Sequence, residues 1–258
     1  MSAPVYREHA APPALAGRVE CLWSVRSDGA LAEPALNRVL PDGCIDLVFD
    51  LGGPDGPRGY AVGAMTRSLA MRMAGRVEVV GVRFRPGGAA LGLPAGELTD
   101  RRAELDDLGL AAVCAPVLEA GSARAAVPLL AEALGAMRWS APEPVAAAAW
   151  ARLRSTAGAL AVRELAAELG VGERRLQRVF HEHVGLTPKE AARVARMSAA
   201  LALMRADARL PLGRVALRAG YYDQAHFNRE FARLVGVAPH AWRAELVGSV
   251  QAAGAGER

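Results

Sequence analysis

At 258 residues and 52% hydrophobic content, the chain is long enough for two ordinary domains, and general disorder is excluded. The net charge of +4 is unevenly divided: residues 1–149 carry 14 basic and 17 acidic side chains and residues 150–258 carry 17 and 10, so the basic excess of a polyanion binder lies in the second part. Cys21, Cys44 and Cys114 are odd in number and never form a C-x-x-C pair, which excludes a disulfide framework and a cysteine zinc site.

The N-terminus reads MSAPVYREHAAPP, with Arg7, Glu8 and His9 where a secretion signal needs an apolar run. No charge-free stretch reaches the length of a membrane span, so a cytoplasmic protein without membrane contact is expected. Glu20 to Arg26 alternates Cys21, Trp23 and Val25 with polar neighbours, Cys44 to Phe49 is an apolar run broken by Asp46, and Val77 to Phe84 is rich in valine. Each has strand character. Turn chemistry follows in Leu40-Pro41-Asp42-Gly43, Gly52-Gly53-Pro54-Asp55-Gly56-Pro57 and Pro86-Gly87-Gly88. A small, mainly antiparallel β domain is predicted, extended by helices over Leu108 to Glu119 and Ala123 to Leu134. Arg138 to Pro142 reads as a linker, with Pro142 near the next helix start. The division predicted is one domain at 1–141, a second, basic domain at 142–247, which the repeat within it makes the DNA-binding domain and the first its sensor or dimerisation domain, and a flexible tail at 248–258.

The C-terminal region repeats itself. Gly170, Leu176, Arg178, Phe180, Gly185 and Pro188 return as Gly220, Phe227, Arg229, Phe231, Gly236 and Pro239, the first pair offset by 50 positions and the others by 51. Each copy is a short helix, a glycine turn and a basic helix, the helix-turn-helix plan. In the first copy Gly170 ends the supporting helix, Gly172 is the N-cap, and Leu176, Val179, Phe180 and Val184 form one apolar stripe. Arg174, Gln177, Arg178 and His181 lie on the opposite stripe, and arginine and glutamine pair bidentately with guanine and adenine in the major groove. Thr187 and Glu190 are spaced as a capping box around Pro188, opening a helix to about Arg205 that can space two readers. In the second copy Leu212 to Ala219 is the supporting helix and Asp223 the N-cap, with Ala225, His226 and Arg229 outward; this head is expected to discriminate bases less than the first.

GVGERRLQRVFHEHVGLTPKEAARVARM followed by GYYDQAHFNREFARLVGVAPHAW resembles the DNA-binding domain of the AraC/XylS family of bacterial transcription regulators, over about 100 residues. The resemblance implies seven helices, with two recognition helices joined by a long linker helix. It nominates Arg174, Gln177 and Arg178 in the first head, and Ala225, His226 and Arg229 in the second, as groove-facing; Arg175, His181 and Gln224 complete the expected DNA-binding set. RVLPDGCIDLVFD and VGVRFRPGGAA resemble an uncharacterised domain found ahead of this module in one branch of the family. The fold class expected is therefore α+β, with a mainly antiparallel β domain followed by an all-α double helix-turn-helix domain. The partners expected are double-stranded DNA, RNA polymerase, a small-molecule effector and a second copy in a homodimer; an activator is expected, although the residues themselves do not distinguish raising from lowering of transcription.

Several residues carry more than one reading. Arg178 and Arg229 are base-contacting or core-bracing. Arg83 and Arg85 bind an anionic effector together with Trp23, brace the sheet through a carboxylate such as Asp46, or meet the DNA-binding domain. His181, Glu182 and His183 belong to a solvated helix face, since positions i and i+2 point apart on a helix. Cys44 is a buried small hydrophobe or, in an alkyl-transfer repair protein, the acceptor. An effector-independent architectural DNA-binding protein is the further alternative. No phosphate loop, nucleophile elbow or paired-carboxylate arrangement appears, so neither an enzyme nor a cofactor or metal is expected.

Overall fold

The computed structural model describes residues 4–245. The tail expected at 248–258, and the last two residues of the expected DNA-binding domain, lie outside the described residues. In the N-terminal half, β1 (Val5–Ala10), β2 (Val19–Val39), β3 (Ile45–Asp50), β4 (Arg58–Val62), β5 (Leu69–Phe84) and β6 (Arg102–Glu104) form one antiparallel sheet in the order β1-β2-β5-β3-β4-β6.

The three strands anticipated from periodicity are the central ones, but β2 and β5 run much further than their alternation. Beyond Arg26 their pairing passes two further register shifts, between Arg26 and Ala30 and between Leu31 and Ala35, after one between Val19 and Cys21, and continues to Val39 opposite Leu69. Those irregularities absorb Asp28, Gly29 and Pro34, residues that read as loop in sequence because they weaken a regular strand. The edge strand β1 and the short β4 and β6 show no comparable alternation.

Leu22, Leu47, Phe49, Val80, Val82 and Phe84 alternate onto one face of the sheet. There they pack against Val117 of α1 (Ala111–Leu118) and Ala126, Leu130 and Leu134 of α2 (Ala123–Ala136). Burying such side chains stabilises by roughly 1.5–3 kcal/mol each. The buried carboxylate of Glu78 accepts from the Ala123 backbone N–H at 2.8 Å, seating the positive end of α2 on the sheet.

The C-terminal half contains α3 (Pro144–Ser155), α4 (Val162–Glu168), α5 (Glu173–His183), α6 (Pro188–Ala206), α7 (Leu212–Arg218) and α8 (Gln224–Val235), and residues 239–245 are again helical. That is seven helical segments among the described residues. They enclose two cores. Trp150, Leu153, Leu165, Leu176 and Phe180 meet the first part of α6 at Ala191, Val194 and Ala195, whereas Met197, Leu201 and Met204 of the same helix meet Val215, Phe227, Phe231 and Trp242. One helix thus serves both cores.

The connection between the halves is pinned. Buried Arg18 donates to the carbonyls of Gly88 and Ser140 and lies over the Trp139 ring at 4.8 Å, while Trp139 packs on Phe84 at 5.5 Å between ring centres. Beyond it α3 seats on two turns of the β domain. The Trp150 ring fills the space a side chain at Gly43 would need, at a backbone φ of +79° that favours glycine in any case, and Ala146 lies against Gly87.

Candidate nucleic-acid interface

The first reading head is α4, the turn at Gly170 and α5. Leu176, Val179 and Phe180 are buried, and Arg174, Arg175, Gln177 and Arg178 are exposed, as a helix with one apolar stripe requires. Gly172 caps α5 without a side chain, so the first-turn amide groups keep their capacity for an anion. The exposed Arg178 reaches only Glu182, at 4.0 Å one turn on, and Arg229 is likewise exposed; neither is a core-bracing arginine. His181 is different. It is exposed, yet its ring occupies the space beside Gly96 of the β domain, so the C-terminal end of α5 is covered where its N-terminal turns are open.

The second head is α7, the Gly220 turn and α8. Phe227, Phe231 and Leu234 face inward; Gln224, Ala225 and Arg229 are exposed. The Asp223 carboxylate accepts from the His226 N–H at 2.6 Å, whereas α5 has no side-chain cap and carries its acid, Glu173, within the first turn. His226 is half-buried with its ring edge-on to Tyr221, 5.4 Å between centres.

Between the heads, α6 opens on the capping box expected from its sequence, with Thr187 N–H donating to Glu190 at 2.8 Å and Glu190 N–H to the Thr187 hydroxyl at 3.2 Å. Its 19 residues span roughly 28 Å at 1.5 Å per residue.

Residues 165–245 match the family model described as a helix-turn-helix domain, and residues 7–104 match a domain of unknown function, DUF6597. The C-terminal region is an AraC-type helix-turn-helix domain. Its sequence is similar to the uncharacterised HTH-type transcriptional regulator YidL of Escherichia coli, 35% identical over 80 residues; these are 31% of this chain and 27% of YidL, so the chain spans about a quarter of that relative's length. Among solved structures, the C-terminal domain of the response regulator AraT from Geobacillus stearothermophilus aligns at 25% identity and a TM-score of 0.39, covering 41% of this chain and 88% of that one. ToxT from Vibrio cholerae aligns at 12% identity and a TM-score of 0.47, covering 88% of this chain and 98% of ToxT.

The braces of the AraC-type domain are arginines that the sequence pattern did not single out. Arg193 of α6 pairs with Glu230 of α8, both largely buried. One turn on, Arg196 donates to the Gly158 carbonyl at 2.7 Å on the side of the first head and lies over the Tyr221 ring of the second at 5.6 Å. The only signal available in sequence was their spacing of three on a helix with no assigned partner.

Of the residues expected to hold an effector, Arg83 lies 3.3 Å from Asp42 and 3.5 Å from Asp46, and Trp23 donates its indole N–H to Asp46 at 2.9 Å. Both side chains are taken up in one sheet-bracing cluster. Arg85 sits beyond the end of β5 rather than on its face, donating to the Ala16 carbonyl at 3.0 Å. With Glu20, Trp150 and Arg154 it lines a cleft of about 500 Å³ between the β domain and α3. Cys44 is buried, and burial followed by the charges of Asp42 and Asp46 pushes its thiol well above the ordinary range, which works against a thiolate alkyl acceptor. Among the described residues no group of three His, Cys, Asp or Glu is placed to hold a metal, and no helix is long and apolar enough to cross a membrane.

Proposed function

We propose that this chain is a sequence-specific transcription regulator that inserts α5 and α8 into two successive major-groove faces, with residues 1–141 as the controlling domain. The observation that carries this reading is the pair of recognition helices, exposed along their polar stripes, at the two ends of one rigid helix. A spacer of roughly 28 Å, widened by the helices it carries, suits half-sites about 34 Å apart. Control by a small acidic molecule fits the Arg85 and Arg154 cleft, where a ligand bridging the two domains bears on both.

The reading is tested by titrating the full chain against duplexes from its own promoter region and against random duplex at physiological salt. A preference for one promoter segment is expected. Arg174→Ala and Gln177→Ala should each weaken that segment by roughly 1–3 kcal/mol more than random DNA, the value of a bidentate base contact. Equal losses on both duplexes remove the base-reading role, and no preference by the unaltered chain rejects the function.

A further inference from the structure

The two recognition helices end at equivalent places in the repeat, α5 at Gly185 and α8 at Gly236, both with φ of +82°. Carbonyl groups at helix C-termini lack partners within the helix. The β domain supplies donors at both ends. The Thr99 hydroxyl donates to the Gly185 carbonyl. On the other head, Ser68 donates from its backbone to Leu234 and from its hydroxyl to Val235, each at 2.8 Å, and Arg38 donates to Val235 at 3.3 Å. Apolar contact accompanies each seat: Ala64 is buried in the core of the first head, and Leu40 packs on that of the second.

These two seats are fastened to each other. The Asp100 carboxylate accepts from the Thr66 N–H at 2.8 Å and the Thr66 hydroxyl at 2.6 Å, and the Asp100 N–H donates to the Ala64 carbonyl at 3.1 Å. Asp100 adjoins Thr99 in the chain, and Thr66 stands two residues before Ser68. A closed loop of contacts results, running from the first head through α6 to the second head, then through Ser68, Thr66, Asp100 and Thr99 back to the first. Any change in the separation of α5 and α8 must break a bond somewhere along it.

Building on the proposed function, we infer that Asp100 is a positioning residue for DNA recognition: by tying the 64–68 loop to the 95–100 loop it makes the β domain a caliper that holds the heads at one separation and so sets the half-site spacing accepted. Asp100 touches no DNA in this scheme and acts through Thr66, Ser68 and Thr99. The residue itself has a φ of +56°, so Asp100→Gly removes both carboxylate bonds to Thr66 without straining the backbone, leaving only the backbone bond to Ala64.

The test has two arms. Exposed Ala167 on α4 and Ala232 on α8 are changed to cysteine and spin-labelled, the native cysteines being buried, and the distance distribution is measured in the full chain by pulsed electron resonance. One narrow distribution is expected, broadening with Asp100→Gly and, to a lesser degree, with Thr66→Val. An unchanged distribution in both variants overturns the caliper, because α6 with Arg193 and Arg196 then suffices. This arm needs no DNA, so it stands apart from the fate of the proposed function. In the second arm unlabelled protein binds its preferred duplex with and without about 5 bp, half a helical turn, inserted between the half-sites. The unaltered chain should lose affinity on the order of tenfold and Asp100→Gly less than about threefold, a coupling of ordinary size. Equal penalties for the two proteins, or no penalty for the unaltered chain, overturn the assignment of spacing to Asp100.

Discussion

Asp46 shows how neighbours set the chemistry of one side chain. A single guanidinium, Arg83, faces the carboxylates of both Asp42 and Asp46, and the Trp23 indole donates to Asp46 as well. Burial is the largest influence; against the lowering effect of Arg83, and with the like charge of Asp42, it pushes the Asp46 carboxyl up to about 7. An unfolded chain releases that proton near pH 4, so between about pH 4 and pH 7 the folded state binds more protons than the unfolded one. Stability contributed by the site is thus fully present below pH 4 and lost as pH rises through 7. Asp46→Asn removes the titration while keeping an acceptor for Trp23. The fall in urea midpoint between pH 5 and pH 7.5 should be smaller in the variant than in the unaltered protein; an equal fall would show that Asp46 does not hold its proton in the folded state.

At the scale of elements, the most informative contrast lies within α6. Its start was legible, because Thr187, Pro188 and Glu190 are local signals whose partners lie within one turn, and the same holds for the Asp223 cap and the apolar stripes of α5 and α8. Its bracing function was not legible. Arg193 and Arg196 take partners 37 and 38 residues away, and nothing in the spacing of an exposed-looking arginine tells which distant carboxylate or carbonyl will meet it. The long arms of β2 and β5 were hidden for a related reason: cross-strand pairing carries them through Gly29 and Pro34, which local propensity assigns to a loop. Likewise Pro41-Asp42-Gly43 and Pro86-Gly87-Gly88 read as turns, while their use as seats for Trp150 and Ala146 depends on a helix that lies 107 residues beyond Gly43 and 59 beyond Gly87 and meets them only once the chain has folded back. The Arg193 brace gives a direct expectation. Arg193→Ala leaves Glu230 buried without its cation and should cost roughly 3–5 kcal/mol, whereas the double change Arg193→Ala with Glu230→Ala should recover part of that loss. Chemical denaturation of the four proteins of the cycle measures the coupling, and additive losses would mean that the pair contributes no interaction of its own.

For the molecule as a whole, charge and geometry divide the work of the proposed DNA binding. The acidic excess of residues 1–149 cannot draw the chain to DNA, so sequence-independent attraction falls to the arginines of the second half, while the β domain contributes by holding α5 and α8 in place. Each phosphate neutralised releases counterions, and the logarithm of affinity falls against the logarithm of salt with a slope of roughly −0.9 per contact. Arg175 is exposed on α5 about 100° round the helix from Arg174, and we propose that it meets a phosphate while Arg174 and Gln177 read bases. Arg175→Ala should therefore reduce the salt slope by about 1 on preferred and random duplexes alike and leave their affinity ratio unchanged. Arg174→Ala should shift the ratio instead. Titrations of both variants over a range of salt concentrations separate the two behaviours, and a changed ratio with Arg175→Ala would move that residue from the phosphate to the base edge.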